Sequence, residues 1–531
     1  MLVNLALALF SMTMLFAKDY GKAKNVIVMI PDGMSIESLT MARWMEDDFS
    51  FTLDSMNTGL VRTNNSNTPI ADSAPAATAM ATGMKTQSPY IATYPNVAGT
   101  MPHALPFEKA KANMPLASVL EAAKKIGKAT GIISTSNIQH ATPADFSAHY
   151  PNRNEYEILA EQQVYQEMNV VFGAGSRYLQ NRKDSEDLIK VLKENGYEYI
   201  TTTAELKKAK GDKVWGMFAE GSMTYDIDRD PKKEPSLAEM TDKALDLLSK
   251  NKNGFFLMVE GSEIDWANHA NDPVGCVSDI RAFDKAVEVA KNFADKNPNT
   301  VIIAAADHGT GGLTFGERAI TRGYDKEPLE NFTRYIKNAK KTGQGAAALL
   351  DKNKTNIAKV MSEMYGIKDL TQDEIDFIKN GDALGEGMQE AIGRVVAKRS
   401  YIGYTTGGHV GGDVALYCYA TGDILPLTGT VQNSEIGKYT ASVLGVDLEK
   451  LTNELYNEAV SSAKKIGANA KLDFSDKENP VLILTKKNTL AKFPANKNIA
   501  IVNEKNIRLK SVVVYNGEKF YLPQEALDLV K

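Results

Sequence analysis

The chain has 531 residues, of which 43% are hydrophobic and 24% charged, and its formal net charge is −5. This length exceeds what one small core needs and predicts a large domain with an appendage. The charge balance argues against bulk binding of nucleic acid or anionic membranes, so an anionic substrate would need local positive charge from an arginine or a metal ion.

Residues 1–17 form an apolar run that ends at Ala17. The run is too short for a comfortable membrane span and predicts a signal peptide cleaved after Ala17. No Lys or Arg precedes the apolar stretch, so an uncleaved anchor remains the alternative. We expect an exported protein, periplasmic or secreted, with no membrane span once the signal is removed, because no later apolar run reaches that length.

Short apolar runs that alternate with helical patterns follow along the chain. The runs cover 25–30, 129–135, 169–175, 254–260 and 300–306, and the helical patterns cover 114–127, 236–250 and 278–296. Apolar runs of this length are typical of buried parallel strands. The alternation therefore predicts an α/β domain with a mostly parallel central sheet.

Two later regions differ in composition from the alternating part of the chain. Residues 315–400 are mainly charged helical segments, which we interpret as an insertion covering one end of the sheet, and 434–447 is the expected last helix of the main domain. Beyond about 470, short strands, Asn/Lys-rich turns and the hairpin signal YNGEKFYLP predict a separate small β-rich unit. The expected division is a main domain over 18–455 and a C-terminal domain of unknown role over 470–531.

Acidic residues and histidines follow the predicted strands where each one ends. Asp32 follows the first run, Glu260 ends the fourth, and Asp307 and His308 follow the fifth. The 129–135 strand continues into a polar stretch that contains His140, Thr142 and Arg153. Any one of these is more often a cap or a surface group, but ligands bind at the carboxyl ends of strands in open α/β sheets. Their recurrence predicts a functional site there.

Further candidate ligands lie on a helix and in a glycine-rich loop. Asp265 and His269 are four residues apart and share one helix face, and His409 lies within TTGGHVGGDV. Either feature alone is weak, since such pairs and turn histidines are common by chance. The whole set lacks thiols; imidazole with carboxylate suits zinc, and carboxylate with hydroxyl suits magnesium. So many ligands imply two or three ions.

The two cysteines, Cys276 and Cys418, lie far apart in no CxxC arrangement. An exported protein could pair them, and the alternative is two buried free thiols.

The stretch DSAPAATAMATG, residues 72–83, places Asp72 and Ser73 before a helix of small residues. An N-capping serine is the ordinary explanation. In a site rich in metal charge, the same hydroxyl at a helix N-terminus could instead be activated as a nucleophile. Small residues would let this helix lie close beneath the sheet edge.

Taken together, these motifs resemble the alkaline phosphatase family over about residues 25 to 445. The matching pieces are PDGMS, DSAPAATAMATGMKT, HATPADFSAHYPNR, EGSEIDWANHAND, AADHGTGG and GHVGGD, in family-like order and spacing. No single piece is specific for the family, but the complete set is. The resemblance implies a three-layer α/β sandwich and hydrolysis of a broad range of small phosphomonoesters at alkaline pH. Activity would run by double displacement through a phosphoserine.

The resemblance also implies roles for individual residues. Ser73 corresponds to the phosphorylated nucleophile, Arg153 to the arginine that clamps two phosphate oxygens, and Asp72 to the residue that orients that arginine. Two zinc ions and one magnesium ion per chain are implied. The ligand sets are Asp265, His269 and His409 for the first zinc, Asp32, Asp307 and His308 for the second, and Asp32, Thr142 and Glu260 for magnesium.

Two positions that vary in the family bear on the third metal. His140 stands where some members have Asp, and Trp266 stands where some have Lys or His; the combination resembles certain bacterial members, including cold-adapted ones. Magnesium is the expected third metal, with zinc or cobalt as alternatives. Family members are often homodimers, so a homodimer is a further expectation.

Three rival functions deserve comparison. A sulfatase would need Arg where Ala77 stands in its Cys/Ser-x-Pro-x-Arg pattern. Phosphodiesterase relatives usually carry Thr as the nucleophile and lack the third metal site, whereas this chain has Ser73 with Thr142 and Glu260. A non-catalytic phosphate- or surface-binding protein, working through its C-terminal unit, would need neither Ser73 nor the full ligand set.

Overall fold

The computed structural model describes residues 18–530 apart from 103, 105 and 321, so the predicted signal peptide over 1–17 lies outside the described residues. The strands are β1 Asn25–Pro31, β2 Asn57–Arg62, β3 Ala129–Asn137, β4 Val170–Ala174, β5 Glu198–Ile200, β6 Val214–Met217, β7 Phe255–Gly261, β8 Thr300–Ala304, β9 Gly309–Thr310, β10 Leu313–Phe315, β11 Ile402–Tyr404, β12 His409–Val410, β13 Val414–Ala420, β14 Gly429–Gln432, β15 Asn457–Glu458, β16 Asn469–Asp473, β17 Val481–Lys486, β18 Thr489–Pro494, β19 Ile499–Val502, β20 Lys505–Arg508, β21 Val514–Tyr515 and β22 Phe520–Leu522.

The helices are α1 Ile36–Arg43, α2 Ser73–Thr82, α3 Val119–Lys125, α4 Ala141–Ser147, α5 Tyr156–Tyr165, α6 Leu188–Glu194, α7 Thr203–Lys208, α8 Leu237–Leu248, α9 Glu263–His269, α10 Pro273–Lys296, α11 Leu329–Lys337, α12 Gly343–Ala347, α13 Ile357–Tyr365, α14 Gln372–Lys379, α15 Gly387–Arg399, α16 Asn433–Leu444, α17 Leu448–Leu455, α18 Ala459–Lys465 and α19 Gln524–Asp528. Short 3₁₀ turns lie between some of them.

Within the described residues, ten strands form one central sheet in the order β14-β2-β13-β8-β1-β7-β3-β4-β6-β5. Every neighbouring pair is parallel except the two that involve β13, which runs antiparallel to β2 and β8. β1, β7 and β8 are buried along their whole length. Each fully buried aliphatic side chain contributes about 1.5–3 kcal/mol, which explains why uninterrupted apolar runs form the centre of the sheet. The predicted α/β fold is confirmed.

Helices pack as two layers around this sheet. α1 and α8 each pack on α10, and α2, α3, α4 and α16 form a second group. α10 is longer than its sequence pattern indicated, because Pro273 begins it and Asp272 caps it by accepting from Val274 and Gly275 amides. Residues 315–400 contain α11 to α15, in agreement with the expected helical character of that region.

The C-terminal unit, which we define as residues 457–530, carries its own hydrophobic core. β16 to β20 form an antiparallel five-stranded sheet, and β21 and β22 form the hairpin indicated by YNGEKFYLP. Leu482, Leu484 and Phe493 are fully buried in this core, which also includes Ala459 and Ala463 of α18. The core therefore begins before residue 470, and the division of the chain into domains stays a prediction.

Cys276 and Cys418 are both buried and free, which corresponds to the second of the two alternatives for them. Among the described residues, no helix combines the length and apolar character needed to cross a membrane.

Candidate active site

The predicted ligands meet at one edge of the central sheet. Asp32 follows β1, Glu260 lies in β7, and Asp307 and His308 follow β8. The order β8-β1-β7-β3 makes these strands neighbours, and His140 follows β3. Because the strands are parallel, their carboxyl ends lie at the same edge. The fold thus brings together residues that are up to several hundred positions apart.

Close backbone approach brings α9 against the loop after β1. A Cβ atom added to Gly33 would lie 2.5 Å from Asp265 Oδ1 and 2.7 Å from Asp265 Cα, and Gly33 has a φ of +70°. Only glycine tolerates both the contact and the left-handed backbone. The glycine of the PDGMS motif therefore admits Asp265 to the edge that already holds Asp32.

Ser73 is the first residue of α2 and is almost fully buried, with 2% of its surface exposed. Its Oγ lies 3.2 Å from His308 Nε2. Every residue of α2 is buried, and the helix packs between α4 and α16. A Cβ on Gly437 of α16 would lie 2.8 Å from the Met80 carbonyl oxygen, so the two helices approach closely. Small residues in α2 let its N-terminus reach the sheet edge.

Two histidines turn the same ring nitrogen toward each other. His269 Nε2 and His409 Nε2 are 3.1 Å apart, and His269 Nε2 lies 3.2 Å from Asp265 Oδ2. The opposite nitrogens, Nδ1, lie 2.6 Å from the Gly407 carbonyl oxygen and 2.7 Å from the Ala71 carbonyl oxygen, respectively. A carbonyl only accepts hydrogen bonds, so Nδ1 carries the proton in each ring and Nε2 is left to bind a cation.

His308 shows the same arrangement with a hydroxyl in place of a carbonyl. Thr310 Oγ1 donates to Asp265 Oδ1 at 2.5 Å and lies 3.3 Å from His308 Nδ1. Because the hydroxyl hydrogen of Thr310 is directed at Asp265, its oxygen accepts from His308 Nδ1. The other nitrogen, His308 Nε2, faces Ser73, Asp307 Oδ2 at 3.2 Å and Asp32 Oδ1 at 3.7 Å. Sequence reasoning did not identify Thr310, although it lies within the AADHGTGG motif.

Several buried oxygens at this edge have no hydrogen-bond partner among the described residues: both carboxylate oxygens of Asp32, Oε1 of Glu260 and Oγ1 of Thr142. Burial, together with the carboxylates of Asp307 and Asp265, raises the pKa of Asp32, and burial raises the pKa of Glu260 to about 7. Unpaired buried carboxylates are costly unless a cation accompanies them. The donor set therefore fits divalent metal ions.

Three groups of side chains bring ligand atoms within 4.8 Å of one another at this edge. They are Asp265 with His308 and His409, Asp32 with Asp307 and His308, and Asp32 with His140 and Glu260. Ser134 Oγ donates to Glu260 Oε2 at 2.6 Å and is itself 2.9 Å from Ser262 Oγ, so two further serines missed by sequence reasoning orient that carboxylate.

Arg153 lies at the mouth of the site beside Ser73. Its Nη1 donates to Asp72 Oδ1 at 2.5 Å, and its Nη2 donates to His140 Nε2 at 3.0 Å. Burial and the nearby guanidinium lower the pKa of His140 to about 3, so this ring is a neutral acceptor. Although burial acts in the opposite direction, Arg153 and a hydrogen bond from Ser88 lower the pKa of Asp72.

An open cavity of about 470 Å³ connects these groups to solvent. It is lined by Ile70, Asp72, Ser73, His140, Arg153, Asp265, Trp266, His269 and His409. The Trp266 ring meets the His140 ring edge-on, with centroids 5.8 Å apart. A small anion that enters this cavity meets Arg153, Ser73 and the inward-facing imidazoles together.

Comparison with known proteins decides the family. The sequence profile described as alkaline phosphatase matches residues 23–446. The chain belongs to the alkaline phosphatase family. It is 37% identical to "Alkaline phosphatase 4" of Bacillus subtilis over 76% of this chain and 85% of that protein.

Solved alkaline phosphatases share the fold. The cold-active enzyme of a psychrophilic Shewanella species superposes with a TM-score of 0.68 at 30% identity, over 79% of this chain and 99% of the other. A mutant of the enzyme from the Antarctic bacterium TAB5, with His replaced by Asp and Mg bound in its M3 site, gives 0.57 at 25% identity, over 81% and 99%.

Membership of the alkaline phosphatase family confirms the predicted fold, family and enzyme class. The chain is a phosphoric monoester hydrolase of a metal-using family, and its candidate metal ligands lie at the sheet edge described above. Neither a sulfatase activity nor a non-catalytic binding role is needed to account for these matches.

Proposed function

We propose that Ser73 is the nucleophile of a double displacement on small phosphomonoesters, with a phosphoserine intermediate. In the first step the Ser73 Oγ–P bond forms, the bond from phosphorus to the alcohol oxygen breaks, and the alcohol leaves with a proton that replaces the one lost by Ser73. In the second step the oxygen of a water attacks phosphorus, the P–Oγ bond breaks to release phosphate, and a proton from that water restores the Ser73 hydroxyl. The observation that carries this proposal is the 3.2 Å approach of Ser73 Oγ to His308 Nε2, in a cluster whose imidazoles face inward.

Residues of this chain would hold two zinc ions and one magnesium ion. We assign Asp265, His269 and His409 to the first zinc, and Asp32, Asp307 and His308 to the second. Asp32, Thr142 and Glu260 are assigned to the magnesium, and the assignment is supported by the oxygens of these residues that have no hydrogen-bond partner among the described residues. Bound divalent cations supply electrophilic stabilisation of the oxygens at phosphorus and favour the ionised serine.

The chain's own groups bind and orient the substrate. Arg153 can offer two parallel N–H donors to two phosphate oxygens, while Asp72 holds the guanidinium from the other side at 2.5 Å. The N-terminus of α2 adds its positive dipole end beneath the phosphate. His140 and Trp266 line the cavity beside Arg153 and limit where the alcohol can lie.

The test is hydrolysis of p-nitrophenyl phosphate between pH 7 and 10 by the chain from residue 18. The protein is assayed as purified, after EDTA treatment, and after resupply of zinc and magnesium. We expect activity to be lost with EDTA and restored by the metals, and to fall by about a thousandfold or more in Ser73→Ala. Ser434→Ala is the matched control, because Ser434 is a buried serine in the first turn of α16.

Acid quenching during turnover provides a direct readout of the intermediate. Mass spectrometry should then find phosphate on the peptide that contains Ser73, and on no peptide of the Ser73→Ala protein. Loss of p-nitrophenyl phosphate hydrolysis with retained hydrolysis of bis(p-nitrophenyl) phosphate would instead support a phosphodiesterase. Phosphate on another residue would contradict the proposed nucleophile.

We propose in addition that the protein is exported, on the basis of the apolar run over 1–17. Sequencing of the mature N-terminus from fractionated cells tests this, with Lys18 as the expected first residue. A homodimer is proposed from the family resemblance, and analytical ultracentrifugation of the metal-loaded protein tests it.

A further inference from the structure

The C-terminal unit contacts the catalytic site's supporting structure, although it lies outside the family match that ends at residue 446. Asn496 is 5% exposed and precedes β19, and its Oδ1 accepts a hydrogen bond from Gln162 Nε2 at 3.1 Å. The Tyr515 amide also donates to Oδ1, at 3.4 Å, which fixes the orientation of the Asn496 amide group.

Gln162 in turn holds the main chain of His149 on both sides. Its Oε1 accepts from the His149 amide at 2.8 Å, and its Nε2 donates to the His149 carbonyl oxygen at 3.0 Å. The single Gln162 side chain therefore joins the C-terminal unit to the segment 149–153. That segment ends at Arg153.

A second contact fixes the helix that carries Gln162. Lys497 Nζ lies 3.3 Å from Glu161 Oε1 and 2.9 Å from Glu186 Oε2, and Glu161 precedes Gln162 on α5. All three side chains are largely buried, so this contact is screened less than a surface ion pair. Lys497 directly follows Asn496, so two successive residues of the C-terminal unit hold two successive residues of α5.

The opposite side of segment 149–153 is held by the chain after α2. Ile91 and Tyr150 form a two-way backbone pair at 2.9 and 3.1 Å, and the Arg153 amide donates to the Pro89 carbonyl oxygen at 2.8 Å. Segment 149–153 thus lies between this chain and Gln162. Loss of the Gln162 contact would leave this segment held by the chain after α2 and by the His149 ring, whose Nε2 lies 2.6 Å from Tyr456 Oη, so fewer contacts would fix the backbone that carries Arg153.

We propose that Asn496 of the C-terminal unit is a positioning residue, which acts through Gln162 and His149 to hold Arg153 in place for phosphate. This inference rests on the proposed role of Arg153 in binding phosphate. Asn496 itself does not touch the cavity. Its contribution is the geometry of the guanidinium, which must offer two donors to one phosphate.

The experiment compares metal-loaded full-length variants by phosphate inhibition of p-nitrophenyl phosphate hydrolysis and by calorimetric phosphate binding. Asn496 has a φ of +61°, so Asn496→Gly removes the amide without backbone strain, while Asn496→Asp keeps the oxygen that accepts from Gln162. We expect the phosphate dissociation constant to rise about fivefold in Asn496→Gly and to stay near the wild-type value in Asn496→Asp.

Two control variants separate positioning from general stability. Asn479→Ala removes a contact of the C-terminal unit to the Asp184 carbonyl oxygen that does not lead to Arg153, and should leave phosphate affinity unchanged. Phe493→Leu weakens the core of the C-terminal unit without touching Gln162. If Phe493→Leu weakens phosphate binding as much as Asn496→Gly at an equal fall in Tm, Asn496 is merely structural and the inference is overturned.

A double-mutant cycle with Arg153→Ala tests the route. If Asn496 acts through Arg153, then Asn496→Gly should change phosphate affinity by less than about twofold in the Arg153→Ala background. A full fivefold effect in that background, or no effect of Asn496→Gly in the wild-type background, overturns the inference and leaves Arg153 assigned. Unchanged phosphate affinity in Arg153→Ala alone would overturn the role of Arg153 itself, and the inference with it.

Discussion

Glu121 and Glu260 are both buried glutamates near histidines, yet their surroundings differ in kind. Against the effect of burial, His149 and hydrogen bonds from Tyr456 and the Ser118 amide lower the pKa of Glu121 to about 2. Burial raises the pKa of Glu260 to about 7, and its Oε1 has no partner among the described residues. The Glu121 carboxylate finds its hydrogen-bond partners within the protein, whereas the Glu260 carboxylate keeps an oxygen free to bind a cation.

The histidines beside these glutamates show the same difference. His149 Nδ1 lies 3.1 Å from the Ala92 carbonyl oxygen, and its Nε2 lies 2.6 Å from Tyr456 Oη and 3.3 Å from Glu121 Oε1. Both nitrogens of this ring are engaged in a closed network. At the sheet edge, His269 and His409 engage only Nδ1 with a carbonyl and turn Nε2 inward. A histidine therefore indicates a metal site when one ring nitrogen donates to a carbonyl oxygen and the other faces carboxylates.

The largest expected effect is on activity, and it distinguishes the sheet-edge cluster of Asp32 and Glu260 from the closed network of Glu121 and its partners. Asp32→Asn should lower kcat/KM by about a thousandfold or more, because Asp32 lies in two of the candidate metal groups. The same change should not lower the Tm of the metal-free protein, because it removes a buried charge from beside Asp307. Steady-state assays and calorimetry measure both. Glu121→Gln is the contrasting variant, with a lower Tm and activity largely retained; a lower metal-free Tm in Asp32→Asn would contradict the comparison.

Metal removal should destabilise the protein only through the loss of ions bound at the sheet edge. Ligands that bind the native state alone add about 4 kcal/mol at a thousand times their dissociation constant. Chelation should therefore lower Tm by a similar amount in the wild-type protein and in Glu121→Gln, and by less in Asp32→Asn. Calorimetry with and without EDTA tests this. An equal loss in all three proteins would mean that the metals bind elsewhere.

The two glutamates should give the metal-free protein opposite dependences on pH. The folded pKa of Glu260 is about 7 against an ordinary 4.5, so the folded state holds the extra proton and stability falls as pH rises from 4.5 to 7. The folded pKa of Glu121 is about 2, so its contribution is complete above pH 4.5 and is lost as pH falls toward 2.

Urea unfolding of the metal-free protein measures these slopes. Glu260→Gln should flatten the dependence between pH 4.5 and 7, and Glu121→Gln should flatten it only below pH 4.5. The comparison fails if both substitutions change the same pH range.

The smallest expected effect concerns one hydroxyl of the closed network. Tyr456→Phe removes the donor 2.5 Å from Glu121 Oε1 and should lower the free energy of unfolding by about 1–2 kcal/mol without changing metal content. Tyr419→Phe is the control, because Tyr419 Oη bonds Asp295 at the exposed surface, and should cost no more than about 0.5 kcal/mol. Metal loss in Tyr456→Phe would show that the two clusters are coupled.

Much of the fold was predictable from local patterns. The apolar runs at 25–30, 129–135 and 254–260 correspond to β1, β3 and β7, because strands buried on both faces have almost no side chains directed to solvent and are mainly apolar. Boundaries were less predictable. The pattern at 114–127 yields a helix only over Val119–Lys125, where Ser118 and Glu121 form a capping box that starts it. The C-terminal core includes α18, which lies before the change in composition near residue 470.

The sequence alone determined which candidate ligands the chain carries and at which end of each strand they lie. Both follow from local properties, namely the residues that come directly after an apolar run and the spacing of residues along a helix. Only the tertiary structure decided which polar atoms remain unpaired, because that depends on neighbours far away in sequence. Thr310, Gly407 and Ala71 orient the inward-facing histidines through contacts that no local pattern indicates. The link from Asn496 to the segment of Arg153 spans 334 positions at its hydrogen bond with Gln162, and only packing could reveal it.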